Sequence, residues 1–277
     1  MTPGEEAAGL FGPGSMSWKI DREVLVLAGG SCALLMQVAH PSVAAGVAEH
    51  STYATDPVGR LLRTLTSSYD VIFGSRSTAD AAIRRVNAIH ASVRGRLPGS
   101  GEAYSASDPE ALLWVHATLV DTALRVYGRF VAPLSAADEQ AYHRECARVA
   151  ELLGVPSGDI PSTIDELRTW MASMIESGRV CVTPTAREIA STVLYPTRLL
   201  PRVAWDAAHL ISLATLPVPL RQQYGIGWSA ARQRGVERMA SGIRGVLPVV
   251  PGVLRHVPHS RSAERRVRQA RVVGVVW

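Results

Sequence analysis

Apolar residues recur at helical spacing through most of this chain, and nowhere do they alternate as they would in a series of β-strands. The clearest case follows Asp108-Pro109-Glu110, where a capping aspartate, a proline at the first helical position and an acid in the first turn predict a helix start. That helix is expected to run to about Tyr127. Its broad apolar face comprises Leu112, Leu113, His116, Leu119, Val120, Ala123, Leu124 and Tyr127. The sequence predicts an all-α fold of about eight to twelve helices.

Start and stop signals place further helices on both sides of this one. Asp21 is expected to cap a helix that runs to about Ala39, and Gly74 to end the helix that carries Arg60. Residues 97–106 are expected to form an exposed loop. Ser42 is expected to start a short helix over residues 43–49, and Ser77 or Thr78 the helix that carries His90. A later helix is expected to begin at Ser135 and to end at Gly154. Capping boxes are predicted at Thr163/Glu166 and Thr185/Glu188. Prolines 196, 201, 217, 219, 248, 251 and 258 divide the last third into short helices.

The 277 residues contain no internal repeat or long linker, so one domain with a substantial core is expected. We predict a flexible N-terminal segment at residues 1–20, an all-helical domain at 21–258 and a basic tail at 259–277. Residues 1–19 do not resemble a signal peptide, and the longest apolar run, residues 24–36, is shorter than the ~20 residues of a membrane-spanning helix. Cys32, Cys146 and Cys181 have no metal-ligand spacing and indicate a reducing compartment. A cytoplasmic protein without a membrane span is therefore predicted.

The net charge of +5 comes almost wholly from arginine, because Lys19 is the only lysine. A genome rich in G and C would produce this bias without a functional cause. Five arginines lie in the predicted tail, namely Arg261, Arg265, Arg266, Arg268 and Arg271. Such a tail could contact nucleic acid or an anionic membrane, but a solvated tail is the simpler interpretation, and no nucleic-acid partner is expected.

Arg60, Arg63 and Thr64 are spaced so that two guanidiniums and a hydroxyl share one face of a predicted helix. This face is cationic and donates several hydrogen bonds, as a ligand-binding or oxygen-binding surface would. The alternatives are structural: the arginines form surface ion pairs with Asp56 or Glu49, and the threonine bonds its own preceding turn.

His90 lies on the next predicted helix, within an apolar stripe that should face the core. The other members of the stripe are Ile83, Val86 and Val93. His116 meets the same criterion on its own helix. A lone inward histidine is most often a core residue, but two of them near an arginine-rich face favour a haem or metal site. The common motifs for zinc, nucleotides and serine hydrolysis are missing from the sequence.

Several motifs in this order resemble the MpaB/latex-clearing-protein oxygenase family over residues 24–224. They are Gln37-Val-Ala-His-Pro41, Ala44-Ala-Gly-Val-Ala-Glu-His-Ser51, Arg60-Leu-Leu-Arg-Thr64, His90-Ala-Ser-Val-Arg-Gly95, residues 104–109, Trp114-Val-His-Ala-Thr-Leu-Val-Asp121 and Pro133-Leu-Ser135. The resemblance implies a globin-like helical fold around a pocket for haem b. It also implies the use of dioxygen to cleave carbon–carbon double bonds in isoprenoid chains.

By the same resemblance, Arg60 and Thr64 belong to the pocket helix, His90 is the axial ligand of the iron, and Glu49 matches an acid proposed as a base. Arg63 stands where rubber oxygenases carry a lysine that can cap the iron. Because a guanidinium offers no lone pair, we expect a five-coordinate or water-ligated ferric haem.

Two further questions stay open at this point. His116 is the rival axial ligand. The chain could also be a non-catalytic helical protein that binds haem or another lipophilic ligand. Because the sequence lacks a secretion signal, a small hydrophobic substrate, such as an isoprenoid, is expected rather than polyisoprene.

Overall fold

The computed structural model describes residues 2–195 and 202–274, and these residues are mostly helical. Two short strands form an antiparallel hairpin, β1 (Arg94–Arg96) and β2 (Ala103–Ser105); β2 lies within the segment 97–106 expected to be a loop, and β1 lies just before it. The helices are α1 (Pro3–Ala8), α2 (Met16–Asp21), α3 (Gly30–Val38), α4 (Pro41–His50), α5 (Pro57–Phe73), α6 (Arg76–Ser92), α7 (Pro109–Val126), α8 (Ala136–Leu152), α9 (Ile164–Glu176), α10 (Pro184–Leu194), α11 (Arg202–Ala208), α12 (Leu210–Thr215), α13 (Val218–Gln223), α14 (Ala230–Val246), α15 (Gly252–Arg255) and α16 (Pro258–Gly274).

Side-chain caps define most of the helix starts that local signals predict. Asp108 accepts a hydrogen bond from the backbone N–H of Ala111 and starts α7, and Thr163 forms a capping box at α9. Three of these starts differ from prediction: Ser75 rather than Ser77 or Thr78 caps α6, Thr183 rather than Thr185 caps α10, and α4 begins at Pro41 after His40 rather than at Ser42. At α6 and α10 a hydroxyl two or three residues upstream takes the role, and at α4 the proline occupies the first helical position. Pro196 and Pro201 lie outside the described residues.

Helix α7 is the centre of the main core and is buried along nearly its whole length. It packs against α3, α8 and α9. The indole N–H of Trp114, which is fully buried, donates to the carbonyl oxygen of Met36 over 2.8 Å and ties α7 to α3. This core supports the elements on which the candidate residues lie.

The first twenty residues, expected to be flexible, instead form α1 and α2 and bury Trp18 and Ile20. Asp21 ends α2 rather than capping a long helix, and a short 3₁₀ helix, Val24–Gly29, precedes α3. The carboxylate of Asp21 accepts a hydrogen bond from the Tyr142 hydroxyl at 3.1 Å. The aspartate is thus held by α8, a contact between distant parts of the chain that no local signal encodes.

The predicted basic tail forms most of α16, which packs on α1 and α5. Val257, Ala263 and Val267 are buried in a cluster with Trp18 and Phe73. The arginines of this helix surround a buried apolar face, so its described part is built into the fold; residues 275–277 of the predicted tail lie outside the description.

In the described part of the chain, no single helix has the length and hydropathy to cross a membrane, although the bent pair Val24–Val38 and Pro41–His50, at 106°, meets the criterion together.

Candidate functional site

Helices α5 and α6 form an antiparallel hairpin around Gly74 and Ser75. Their register is fixed by Arg85, whose guanidinium donates to the Ser67 hydroxyl over 3.4 Å and to the Asp70 carboxylate over 3.5 Å. Arg60 and His90 each lie about 20 Å along their helix from the turn, at a rise of about 1.5 Å per residue. The fold therefore brings the two residues to the same, open end of the hairpin.

His90 is half-buried in the last turn of α6. Its Nδ1 is buried and has no hydrogen-bond partner among the described residues. Burial lowers the pKa of the imidazole, which favours the neutral form that can ligate a metal. Of the predicted inward stripe only Ile83 is fully buried, so the ring lies at the edge of the core rather than inside it.

Arg60 is also half-buried, while Arg63 and Thr64 beside it are exposed. The pKa of Arg60 is lowered by burial and then by the charge of Arg63, with no carboxylate among the causes. Arg63 instead donates to Asp56 at 3.0 Å and to Thr52 at 2.9 Å. The Thr64 hydroxyl donates to the carbonyl of Arg60 at 3.0 Å. Arg63 and Thr64 therefore make the structural contacts named above as alternatives, an ion pair and a bond to the preceding turn. Arg60, by contrast, has no carboxylate partner among the described residues.

Large aliphatic side chains next to Arg60 and His90 are exposed to solvent. Val58, Leu61 and Leu62 on α5 are 66%, 54% and 58% exposed, and Ile89 on α6 is 55% exposed. Neighbouring exposed aliphatic residues of this kind mark a surface that a ligand or partner covers. By helical geometry the three α5 residues continue the stripe of Leu65, Tyr69 and Phe73 and lie on the opposite side of the helix from Arg60, so the apolar surface and the guanidinium occupy different faces of α5.

Glu49 lies at the end of α4, where the β-hairpin packs. Its carboxylate accepts a hydrogen bond from the Tyr104 hydroxyl over 2.5 Å and lies 3.8 Å from the His50 imidazole. Tyr104 also lines an open cleft of about 620 Å³ that begins at Ala91. Neither His90 nor Arg60 lines this cleft, so it lies beside the end of the α5–α6 hairpin and not at the imidazole.

His116 lies elsewhere, in the packed core between α7 and α8. Burial, and secondarily the neighbouring His143, lowers its pKa to about 4. Its Nε2 is buried without a partner among the described residues, whereas Nε2 of His143 bonds the Pro161 carbonyl at 2.8 Å. His116 is therefore an inward-facing core histidine whose titratable neighbour is His143 of α8.

A buried ion-pair network around Asp121 was missed by the sequence reasoning. This carboxylate, 3% exposed, accepts hydrogen bonds from Arg125 at 2.5 Å and from Arg168 at 3.1 Å. Arg168 also bonds Glu139 at 2.8 Å, so the network joins α7, α8 and α9. The sequence signal that could have revealed this network is Asp121 itself, a charged residue on the apolar face of α7, because a buried carboxylate requires a cationic partner.

Comparison with known proteins finds a match to the family described as "ER-bound oxygenase mpaB/B'/Rubber oxygenase, catalytic domain", over residues 18–245. The chain belongs to this family. The matched mpaB/rubber oxygenase domain runs from α2 into α14 and includes every candidate residue on α4, α5, α6 and α7. It stops short of α16, which packs against α5 from outside the matched region. No curated protein and no solved structure matches the chain.

Proposed function

We propose that this chain is a haem b-dependent oxygenase that uses dioxygen to oxidise and cleave a carbon–carbon double bond of a small hydrophobic substrate. The family match supports the oxygenase class. The observation that supports the cofactor assignment is the position of His90, a half-buried imidazole with an unpartnered Nδ1 at the same end of the α5–α6 hairpin as Arg60. Within residues 2–195 and 202–274 no cluster of three or more ligand side chains could hold a metal ion, whereas a haem iron requires only one protein nitrogen.

The residues at the open end of the α5–α6 hairpin fit the chemistry of haem. His90 would supply an imidazole nitrogen to the iron, and Arg60 a guanidinium for a propionate or for developing negative charge. When bound, haem supplies the iron at which dioxygen is activated.

Thr64 must change partner to act, because it would have to turn its hydroxyl away from the Arg60 carbonyl to donate to a ligand. Glu49 accepts the Tyr104 hydroxyl at Oε2, which leaves Oε1 to accept a substrate proton. Arg63 cannot ligate iron, so its proposed role is electrostatic. The match to a family that includes rubber oxygenases supports a hydrophobic substrate.

The optical spectrum of the purified protein with added haem tests the assignment. We expect a Soret band of a five-coordinate or water-ligated ferric haem, lost in His90→Ala and kept in His116→Ala. His50→Ala, on the adjacent α4, is the control for a partly exposed histidine. Circular dichroism of each variant checks that it has folded. An unchanged spectrum in His90→Ala, or a low-spin iron with two nitrogen ligands, would contradict the proposal.

Consumption of dioxygen separates catalysis from transport. The haem-loaded protein is expected to consume dioxygen only when an isoprenoid alkene is supplied, and Arg60→Leu to reduce the rate by about tenfold or more, as loss of one charge-stabilising group does. A protein that binds the alkene and consumes no dioxygen would be the non-catalytic carrier.

A further inference from the structure

Residues 246–254, which we call the aliphatic segment, form an unusually apolar surface far along the chain from the α5–α6 hairpin. They comprise the end of α14, a 3₁₀ turn at Leu247–Val249, and most of α15. Val246, Val249, Val253 and Leu254 are 61%, 80%, 60% and 71% exposed. Single exposed aliphatic residues are ordinary, but four within nine positions form a patch that marks an interaction surface.

The aliphatic segment is surrounded by positive charge. Residues 238–263 contain no aspartate or glutamate and carry Arg238, Arg244, Arg255 and Arg261. Glu237 and Glu264 flank this stretch, and Glu23, which is 1% exposed, is paired with Arg255 at 2.6 Å. Across residues 230–274 ten arginines outnumber two glutamates, so the patch is apolar at its centre and its surroundings carry a net positive charge.

The segment is fixed to the core at both ends. On one side Val236 and Ala240 of α14 are buried against Val126 and Phe130. On the other, His256 forms a β-bridge with Glu23, and the backbone N–H of Val257 donates to the Arg22 carbonyl at 2.8 Å. The side chains are thus presented by a supported backbone, which reduces the entropy lost on binding.

We propose that the aliphatic segment is an interfacial anchor that binds the surface of bilayers containing anionic lipids. Aliphatic side chains would enter the boundary between headgroups and acyl chains, and the surrounding arginines would contact lipid phosphates. A second copy of the chain is the less favoured occupant, because a two-fold symmetric contact would bring two arginine margins together.

Vesicle co-sedimentation tests the proposal with the full chain. Binding is expected to phosphatidylcholine vesicles that contain phosphatidylglycerol, and to be much weaker without the anionic lipid. Arg238→Gln, at an exposed arginine, is expected to weaken binding by about fivefold. The double variant Val249→Asp, Leu254→Asp is expected to abolish it. Val218→Asp, at a 53% exposed valine on α13, is the matched control and is expected to bind as the wild type does.

A second measurement does not depend on loss of binding. Val249→Trp is expected to add a fluorescence component that shifts to shorter wavelength with anionic vesicles and is quenched by brominated acyl chains. The proposal is overturned if the double aspartate variant, folded by circular dichroism, still binds vesicles. It is also overturned if Val249→Trp reports no lipid contact, or if the wild type is a dimer that the double aspartate variant converts to monomers. These readouts involve no haem, so they are independent of the proposed oxygenase activity.

Discussion

At position 116 an imidazole is enclosed between α7 and α8, close to a second buried imidazole at His143. Burial of this kind stabilises the neutral ring, because a charged ring would lose its hydration without gaining a carboxylate. The free energy of unfolding therefore depends on pH through His116, a residue outside the candidate site.

The contribution of His116 to the free energy of unfolding is expected to fall between about pH 6.5 and pH 4, against an opposite contribution from Asp21, whose pKa burial raises to about 7. The unfolded chain binds this proton at an ordinary histidine pKa, whereas the folded chain binds it only near pH 4, so acid favours unfolding. The full difference corresponds to about 3 kcal/mol. Urea denaturation from pH 4 to 8 measures it. His116→Leu should remove this contribution from the pH dependence, whereas His50→Leu, on an imidazole with a 35% exposed side chain, should not; equal slopes in both variants would refute the assignment.

Among the helices, Arg168 is the point at which α7, α8 and α9 are joined. The same guanidinium has one buried partner, Asp121, and one fully solvated partner, Asp165, whose side chain is 92% exposed. Substitution of Asp121 and of Asp165 therefore compares a buried with an exposed ion pair on the same residue, Arg168.

Asp121→Ala is expected to lower the free energy of unfolding by about 3 kcal/mol, because it leaves two guanidiniums without their buried counter-charge. Asp165→Ala removes an ion pair to the same arginine and is expected to cost less than about 1 kcal/mol, because solvent screens it. Denaturant titration of both variants gives the two values. Similar costs would mean that the buried network contributes no more than a surface pair.

Helix α1 meets the turn between α5 and α6 at Gly9, which has a φ of +76°. A Cβ at this position would overlap the carbonyl oxygen of Gly74. Gly99, in the β-hairpin, has a φ of +90° and open space around it, so it shares the backbone constraint without the contact.

Gly9→Ala is therefore expected to destabilise the protein by about 2 kcal/mol more than Gly99→Ala, whose cost is backbone strain of about 1 kcal/mol. Thermal unfolding followed by circular dichroism compares the two. Indistinguishable melting temperatures would show that the N-terminal helices are not packed as described.

Across the whole molecule, local signals predicted the elements and missed the long-range packing. Asp108 and Thr163 act within three residues, so their helix starts are readable from sequence. The burial of α1 and α16 depends on contacts such as that of Arg266 with Ala7, 259 positions apart, which leave no local pattern. The candidate site likewise combines features that the sequence predicts with features that only the structure shows. Arg60 and His90 could be assigned to adjacent helices, but the hydrogen bonds of Arg63 and the half-exposure of His90 required the structure.

Substitutions on α16 test whether its apolar face is packed into the fold. Val267→Asp places a carboxylate in the cluster with Trp18 and Phe73 and is expected to cost about 3 kcal/mol or more, a fall in melting temperature of about 8 °C. Gln269→Asp introduces the same side chain at an exposed position two residues away and should change it little. If both variants melt as the wild type does, α16 is a solvated tail.

The guanidinium of Arg266 bonds the carbonyls of Ala7 and Phe73, at 3.0 and 2.5 Å, and so joins α16 to the first helix and to the end of α5. During synthesis, the helix that carries Arg60 must wait for residue 267 to leave the ribosome before its packing is complete. Contacts this distant in sequence are slow to close. Packing at the turn end of the α5–α6 hairpin, about 20 Å along the helices from Arg60 and His90, is consequently completed only after nearly the whole chain has been synthesised.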